Sequence, residues 1–349
     1  MPSSQFNSRK LFLITLSIFI FLLPNLVLSQ HACENNSKED EDENKFASSS
    51  EAAKYKLIAI ASTFAASTVG ISLPILAKNW SYLKPESDLF FIVKAFAAGV
   101  ILATGFLHVL PDAFEALENN PCIAEKKPWG NKFPFPGLIA MVAATVTLIM
   151  EALVVGYHKR CELTKARPLR DENDAEELGS HIFESSDNLR HTLVSQILEL
   201  GIVVHSAIIG ISLGASKSPN TIKPLVAALS FHQCFEGMGL GGCIAQAKFK
   251  CQTIVVMVLL FCLTIPMGIG IGVGISNAYN GNSQTAIIVE GVLLSASAGI
   301  LIFMALVDLL ATDFIFSSKM LTSLRLQLGA TSALLMGLIC MSILVQWGE

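Results

Sequence analysis

Eight apolar blocks of roughly bilayer length recur along this chain, over 57–77, 90–111, 137–157, 193–213, 224–246, 253–275, 287–307 and 326–346. A helix needs about 20 apolar residues to cross a hydrocarbon core ~30 Å thick. No water is available there, so each block must satisfy its own backbone N–H and C=O groups, which predicts helices. Composition agrees. The chain is 52% hydrophobic and 15% charged, with mean hydropathy +0.57, where soluble domains carry about 25% charge. The expected fold is one all-α integral membrane domain of eight transmembrane helices, with no appended soluble catalytic domain. A net charge of −4 leaves no footprint for nucleic acid, so the lipid bilayer is the expected surrounding partner.

The first residues read differently. Arg9 and Lys10 precede LFLITLSIFIFLL, then come Pro24 and the small residue Ser29. That order predicts a cleaved signal peptide over 1–29. An extra transmembrane helix is the alternative, because the run to Leu28 is long enough. The acidic stretch HACENNSKEDEDENK follows, predicting a disordered extracellular tail over 30–56.

Basic residues orient the spans. Lys159, Arg160, Lys165, Arg167, Arg170 and Arg190 separate the third span from the fourth. Lys248 and Lys250 follow the fifth, and Lys319 and Arg325 the seventh. Those connections are expected in the cytoplasm, with both termini outside. Spans one to three then occupy 57–157, a disordered variable cytoplasmic loop 158–192, and spans four to eight 193–349. Of the eight cysteines, Cys33 and Cys122 both fall outside and form a candidate disulfide. Asn35-Asn36-Ser37 is an outer glycosylation sequon.

Ionisable groups inside the spans are costly, at roughly 2.5–3.5 kcal/mol each on insertion scales. Span five nevertheless carries SFHQCFEGMGLG, in which His232 and Glu236 are four apart and share a helix face, with Gln233 beside them. Span four carries His205 and Ser206 at similar depth. Two imidazoles and a carboxylate from two helices make most of a site for a divalent transition metal. Glu199, seven residues before Ser206, shares its face and is a weaker pathway candidate. The alternative is a buried His–Glu pair that only joins helices. Gly210, Gly214 and Gly237 are expected to let spans four and five approach closely enough to share an ion. At the outer end of span two, His108 and Asp112 are a turn apart with Glu115 just beyond, a cluster suited to collecting cations, and Pro111 is expected to end regular helix there. Glu151, Asp308 and Glu290 are ambiguous; interhelical pairing or snorkelling explains them as well as function does.

The pattern HSxxxGxxxG (His205, Ser206, Gly210, Gly214), followed by HQxFEG (His232, Gln233, Phe235, Glu236, Gly237), resembles the ZIP family of divalent metal transporters, in its plant type. GFLHVLPDAFE and the eight-span, both-ends-out plan are also similar to that family, over about 55–349. The resemblance implies carriage of metal from outside, or from a lumen, into the cytosol. By position it implies that His205, His232 and Glu236 are ligands of the first transport site. Ser206 and Gln233 would belong to a neighbouring, more variable site, and His108, Asp112 and Glu115 would be entrance and selectivity residues. Two departures stand out. Ile209 occupies a position where some members place a carboxylate, so that ligand of a two-metal site is missing. The 158–192 loop holds only scattered histidines instead of an HxHxH tract.

Carriage without ATP is expected, since no phosphate-binding GxxxxGK[ST] loop is present. Metal ligands bind deprotonated, so acid is expected to weaken binding. Transported Zn²⁺ ranks first and Fe²⁺ second, with Mn²⁺ and Cd²⁺ sharing the ligand chemistry. No prosthetic group is implied and an enzyme is not expected, because an intramembrane metalloprotease would need HExxH. A structural or receptor-like membrane protein is the alternative from a different class. The glycine-rich spans permit a homodimer, and the plasma membrane is the expected location.

Overall fold

The long apolar runs become long helices in the computed structural model, which describes residues 42–77, 87–119, 133–166, 172–216, 219–247, 249–278, 284–315 and 317–348. The signal peptide, Cys33, Cys122 and the sequon at Asn35 lie outside the described residues. Among the described residues, eight long helices follow in order. α1 is Asp42–Ala77. α2 begins at Asp88, as an α-helix to Ala103, and continues as a π-helix Thr104–Val109, an α segment Leu110–Phe114 and a π segment Glu115–Asn119. α3 is Phe135–Ala166, α4 Glu172–Ala215, α5 Pro219–Gln246 and α6 Cys251–Ala278. α7 runs Gln284–Phe303, then as π-helix Met304–Ala311, then Thr312–Phe314. After the short helix Ser318–Thr322 comes α8, Leu324–Gly348.

Seven of these, all but α5, are long and apolar enough to cross a membrane. The molecule is therefore an all-α, multi-pass membrane protein. α5 is as long as α6, at 28 residues, but Lys223, His232, Gln233 and Glu236 dilute its apolar run. The property that made span five worth attention thus also lowers its hydropathy.

Three local expectations need correction. α1 starts at Asp42, inside the stretch expected to be a disordered tail. α3 continues to Ala166 and α4 begins at Glu172, so helix occupies most of the expected 158–192 loop. Once a helix is nucleated, each added residue costs little, and Ala, Glu and Leu extend it readily even where composition looks disordered. Thirdly, helix does not stop near Pro111. The Leu110 N–H reaches back five residues to Gly105 O. This wide turn leaves Pro111 in the first turn of the next α segment, where its missing N–H costs little. π turns of this sort concentrate at functional positions, and this one carries His108.

Packing pairs α1 with α5, α4 with α6, α2 with α8 and α3 with α7. Glycines explain how closely these pairs approach. A Cβ on Gly210 would lie 2.9 Å from Ile265 O, and one on Gly214 would strike the Ile269 backbone, both on α6. A Cβ on Gly237 would lie 2.9 Å from Ile71 N, on α1. The expectation that these glycines draw the fourth and fifth helices together is therefore corrected. They seat each site helix on a different backing helix. Spacing fixes a glycine's face, but not the helix that lies against it, and the α4–α5 gap has to hold polar side chains. Gly99 and Gly337 set the α2–α8 seam and Gly299 the α3–α7 seam in the same way, against backbone. Two groups result, α1/α4/α5/α6 and α2/α3/α7/α8. Where they meet, the glycines face side chains instead of backbone. A Cβ on Gly201 would meet Ile300 Cγ2, and one on Gly239 would meet Ile101 Cδ1. Ile101, Leu198, Ile202, Leu240 and Leu301 form the buried apolar layer across that boundary.

Candidate metal site

Hydroxyls in these apolar helices mostly bond a carbonyl one turn back on their own helix. Thr63 to Ala59 O at 2.7 Å and Thr104 to Val100 O at 2.9 Å are examples. The site residues behave otherwise. His205 of α4 and His232, Gln233 and Glu236 of α5 are all buried to 2% exposure or less. Yet His205 Nε2, both nitrogens of His232, the Gln233 Nε2 and both oxygens of Glu236 make no hydrogen bond. A buried polar atom without a partner costs about 1–3 kcal/mol. Six of them in one place call for a ligand.

The geometry suits a metal ion. One ligand atom each from His205, His232 and Glu236 lies within 4.8 Å of the others, the only such group of three or more among the described residues. His205 Nε2 stands 3.5 Å from Glu236 Oε1, and the two imidazole centroids are 6.5 Å apart. A tetrahedral ion with bonds of 2.0–2.1 Å holds its ligands roughly 3.3 Å apart. Side-chain adjustments of about an ångström therefore complete three bonds. Ser206 donates to Gln233 Oε1 at 3.4 Å, a buried bond that bridges α4 and α5 beside this three-residue group. Ile209 packs against the apolar cluster of Leu213, Ile265 and Ile269, so no carboxylate enters from that position.

The residues expected at an entrance lie next to this centre. His108 Nδ1 is 3.8 Å from Asp112 Oδ2, and its ring centroid lies 5.7 Å from that of His232. Residues read as a separate outer cluster are thus contiguous with the centre through one imidazole pair. Glu115 is exposed. Glu290, left ambiguous by sequence, lies within electrostatic reach of Asp112. Glu199 is 2% exposed with an unpartnered Oε1, and stands apart from the three-ligand group.

Interhelical pairing, one of the readings open for Glu151 and Asp308, is what they do, with a partner the sequence did not point to. Arg190, read only as a cytoplasmic positive charge, donates through Nε to Glu151 Oε1 and through Nη2 to Asp308 Oδ1, both at 2.9 Å. It thereby ties α4 to α3 and α7. The available signal was three ionisable residues near the ends of three spans, with signs that match. A second missed contact is Ser297 of α7, whose Oγ–H donates to Gly201 O at 2.7 Å.

The family model described as ZIP zinc transporter matches residues 53–345. "Zinc transporter 3" of Arabidopsis thaliana is 50% identical over 313 residues, covering 89% of this chain and 88% of that protein. "Zinc transporter 3" of Oryza sativa subsp. japonica is 47% identical over 326 residues, covering 85% and 89%. The same rice has a "Fe(2+) transport protein 2" that is 42% identical over 323 residues, covering 85% and 86%.

Proposed function

This chain belongs to the ZIP zinc transporter family, and from that premise we propose that it carries zinc from outside, or from a lumen, into the cytosol through His205, His232 and Glu236. It is a transporter of divalent metal ions and not an enzyme. The observation that carries the site is the buried group of three ligand atoms within 4.8 Å, with no hydrogen bonds of their own. A pair that only joined helices would bond to itself, and these groups do not.

In this reading α5 also crosses the membrane, as the fifth of eight spans, and both termini lie outside, as the basic residues between odd and even spans support. A signal peptide over 1–29 is removed. Spans one to three, the 158–192 connection and spans four to eight follow in order, and the protein resides in the plasma membrane, where a homodimer is compatible with its apolar outer faces. A Cys33–Cys122 disulfide would close the outer side.

Divalent ions collect near His108, Asp112 and Glu115, shed water and bind His205, His232 and Glu236, with Ser206 and Gln233 alongside. The α1/α4/α5/α6 group then shifts against α2/α3/α7/α8 and opens the site inward. Glycine-to-backbone seams within each group support their moving as units, and the Arg190 pairs and the Ser297–Gly201 bond are the polar contacts that such a shift must rearrange. Glu199 lies on the inward stretch of α4 as a further polar waypoint. Ferrous iron is the second substrate reading, favoured by the relative named for Fe(2+) transport and by a ligand set that suits both ions. The test is uptake of radioactive zinc with His205→Ala. Loss of uptake at equal surface abundance supports the site, and retained uptake overturns it.

A further inference from the structure

The Gly201 carbonyl on α4 has two side chains directed at it. His205 Nδ1, one turn on, lies 3.4 Å away. Ser297, from α7 in the other helix group, donates its hydroxyl to the same oxygen at 2.7 Å. A carbonyl only accepts, so the imidazole nitrogen that faces it carries the proton. That leaves the Nε2 lone pair directed to the Glu236 side, 3.5 Å from Oε1. Ligating histidines are commonly held this way, with the second nitrogen on a carbonyl that fixes tautomer and ring orientation.

Ser297 is unusual among the hydroxyls of its own helix. Ser295, equally buried, bonds Gly291 O at 2.6 Å within α7, the ordinary arrangement in an apolar helix. Ser297 instead reaches across to the backbone of the site helix. α7 can come that close because residue 201 is glycine, where a Cβ would lie 2.9 Å from Ile300 Cγ2. The carbonyl that aims His205 is thus pinned from another helix.

We propose that Ser297 is a positioning residue for zinc binding, acting through the Gly201 carbonyl to hold His205 with Nε2 toward the site. The inference rests on the reading that His205 is a ligand. Losing the hold lowers affinity for an ion that favours imidazole more than for one that favours oxygen, so Ser297 also sets preference for zinc over manganese.

The test compares zinc uptake, with manganese as competitor, in cells expressing wild type, Ser297→Ala, Ser297→Thr, Ser295→Ala and His205→Ala, each normalised to surface molecules. The expected result is a KM for zinc about tenfold higher in Ser297→Ala, in line with partners that orient metal ligands. Its maximal rate should stay near wild type and its zinc-to-manganese preference should fall. Ser295→Ala should match wild type, and Ser297→Thr, which keeps the hydroxyl, should restore the KM. An unchanged KM in Ser297→Ala, an equal rise in Ser295→Ala, or no recovery in Ser297→Thr overturns the proposal. The two readings separate in His205→Ala. If that variant still takes up zinc, the ligand reading fails. If it is inactive while Ser297→Ala equals wild type, only the role of Ser297 fails.

Discussion

His205 Nε2 and Glu236 Oε1 face each other across 3.5 Å, from two helices, with both side chains fully buried. The contact lacks the geometry of a hydrogen bond, and neither oxygen of Glu236 has any other partner. The protein without its ion therefore carries an unfavourable cluster that an ion would relieve.

Glu236→Gln removes the carboxylate ligand and supplies an amide N–H that can donate to the His205 Nε2 lone pair 3.5 Å away. It should leave the metal-free protein as stable as wild type or about 1–3 kcal/mol more stable, while zinc uptake falls to background. Thermal unfolding in detergent, with and without zinc, checks both halves. Zinc at a hundred times its Kd should stabilise wild type by about 2.7 kcal/mol and leave the variant unmoved.

The glycine seams predict a different failure. Gly214→Val places branched carbons on the Ile269 backbone of α6, where neither helix can yield. Abundance should drop, in line with the ~1–3 kcal/mol or more that overpacking costs. Gly270→Ala meets nothing within 4 Å and should express as wild type. Quantitative surface labelling of both variants decides this.

Arg190 supplies both charge-assisted bonds that hold Asp308 and Glu151 to α4. Arg190→Ala leaves Asp308, whose side chain is 1% exposed, without its cation, a loss of about 3–5 kcal/mol for a buried pair. Arg190→Met with Asp308→Leu and Glu151→Leu should recover most of the abundance, because the unpaired charges go too. The comparison is the melting temperature of purified single and triple variants.

External acid competes with the metal, because imidazole and carboxylate ligands bind it deprotonated. Zinc uptake assayed from about pH 7.5 down to 5.5 should show a rising KM with little change in maximal rate. A KM that is flat across that range would contradict ligation by histidine.

The buried group of His205, His232 and Glu236 was legible in the sequence because local spacing decides it. His232 and Glu236 are one turn apart on one helix, and His205 matches them in depth. The partners of each face were not legible. Gly210 and Gly237 looked like a seam between α4 and α5, and turned out to seat those helices on α6 and α1. Arg190 looked like a loop charge until three helices converged on it. Pro111 looked like a stop, but the π turn before it shifts the bonding so that helix continues. In each case the deciding contact, or the deciding bond register, lies beyond what spacing along one chain expresses.

The most direct measurement is uptake of zinc and of ferrous iron, each competed by the other, in cells lacking their own uptake of both metals and expressing wild type or His232→Ala. We predict saturable zinc uptake by wild type, partly inhibited by ferrous iron, and background uptake by His232→Ala at equal surface abundance. Undiminished zinc uptake by that variant, or no uptake of either metal by well-expressed wild type, would contradict transport through the buried His–Glu site.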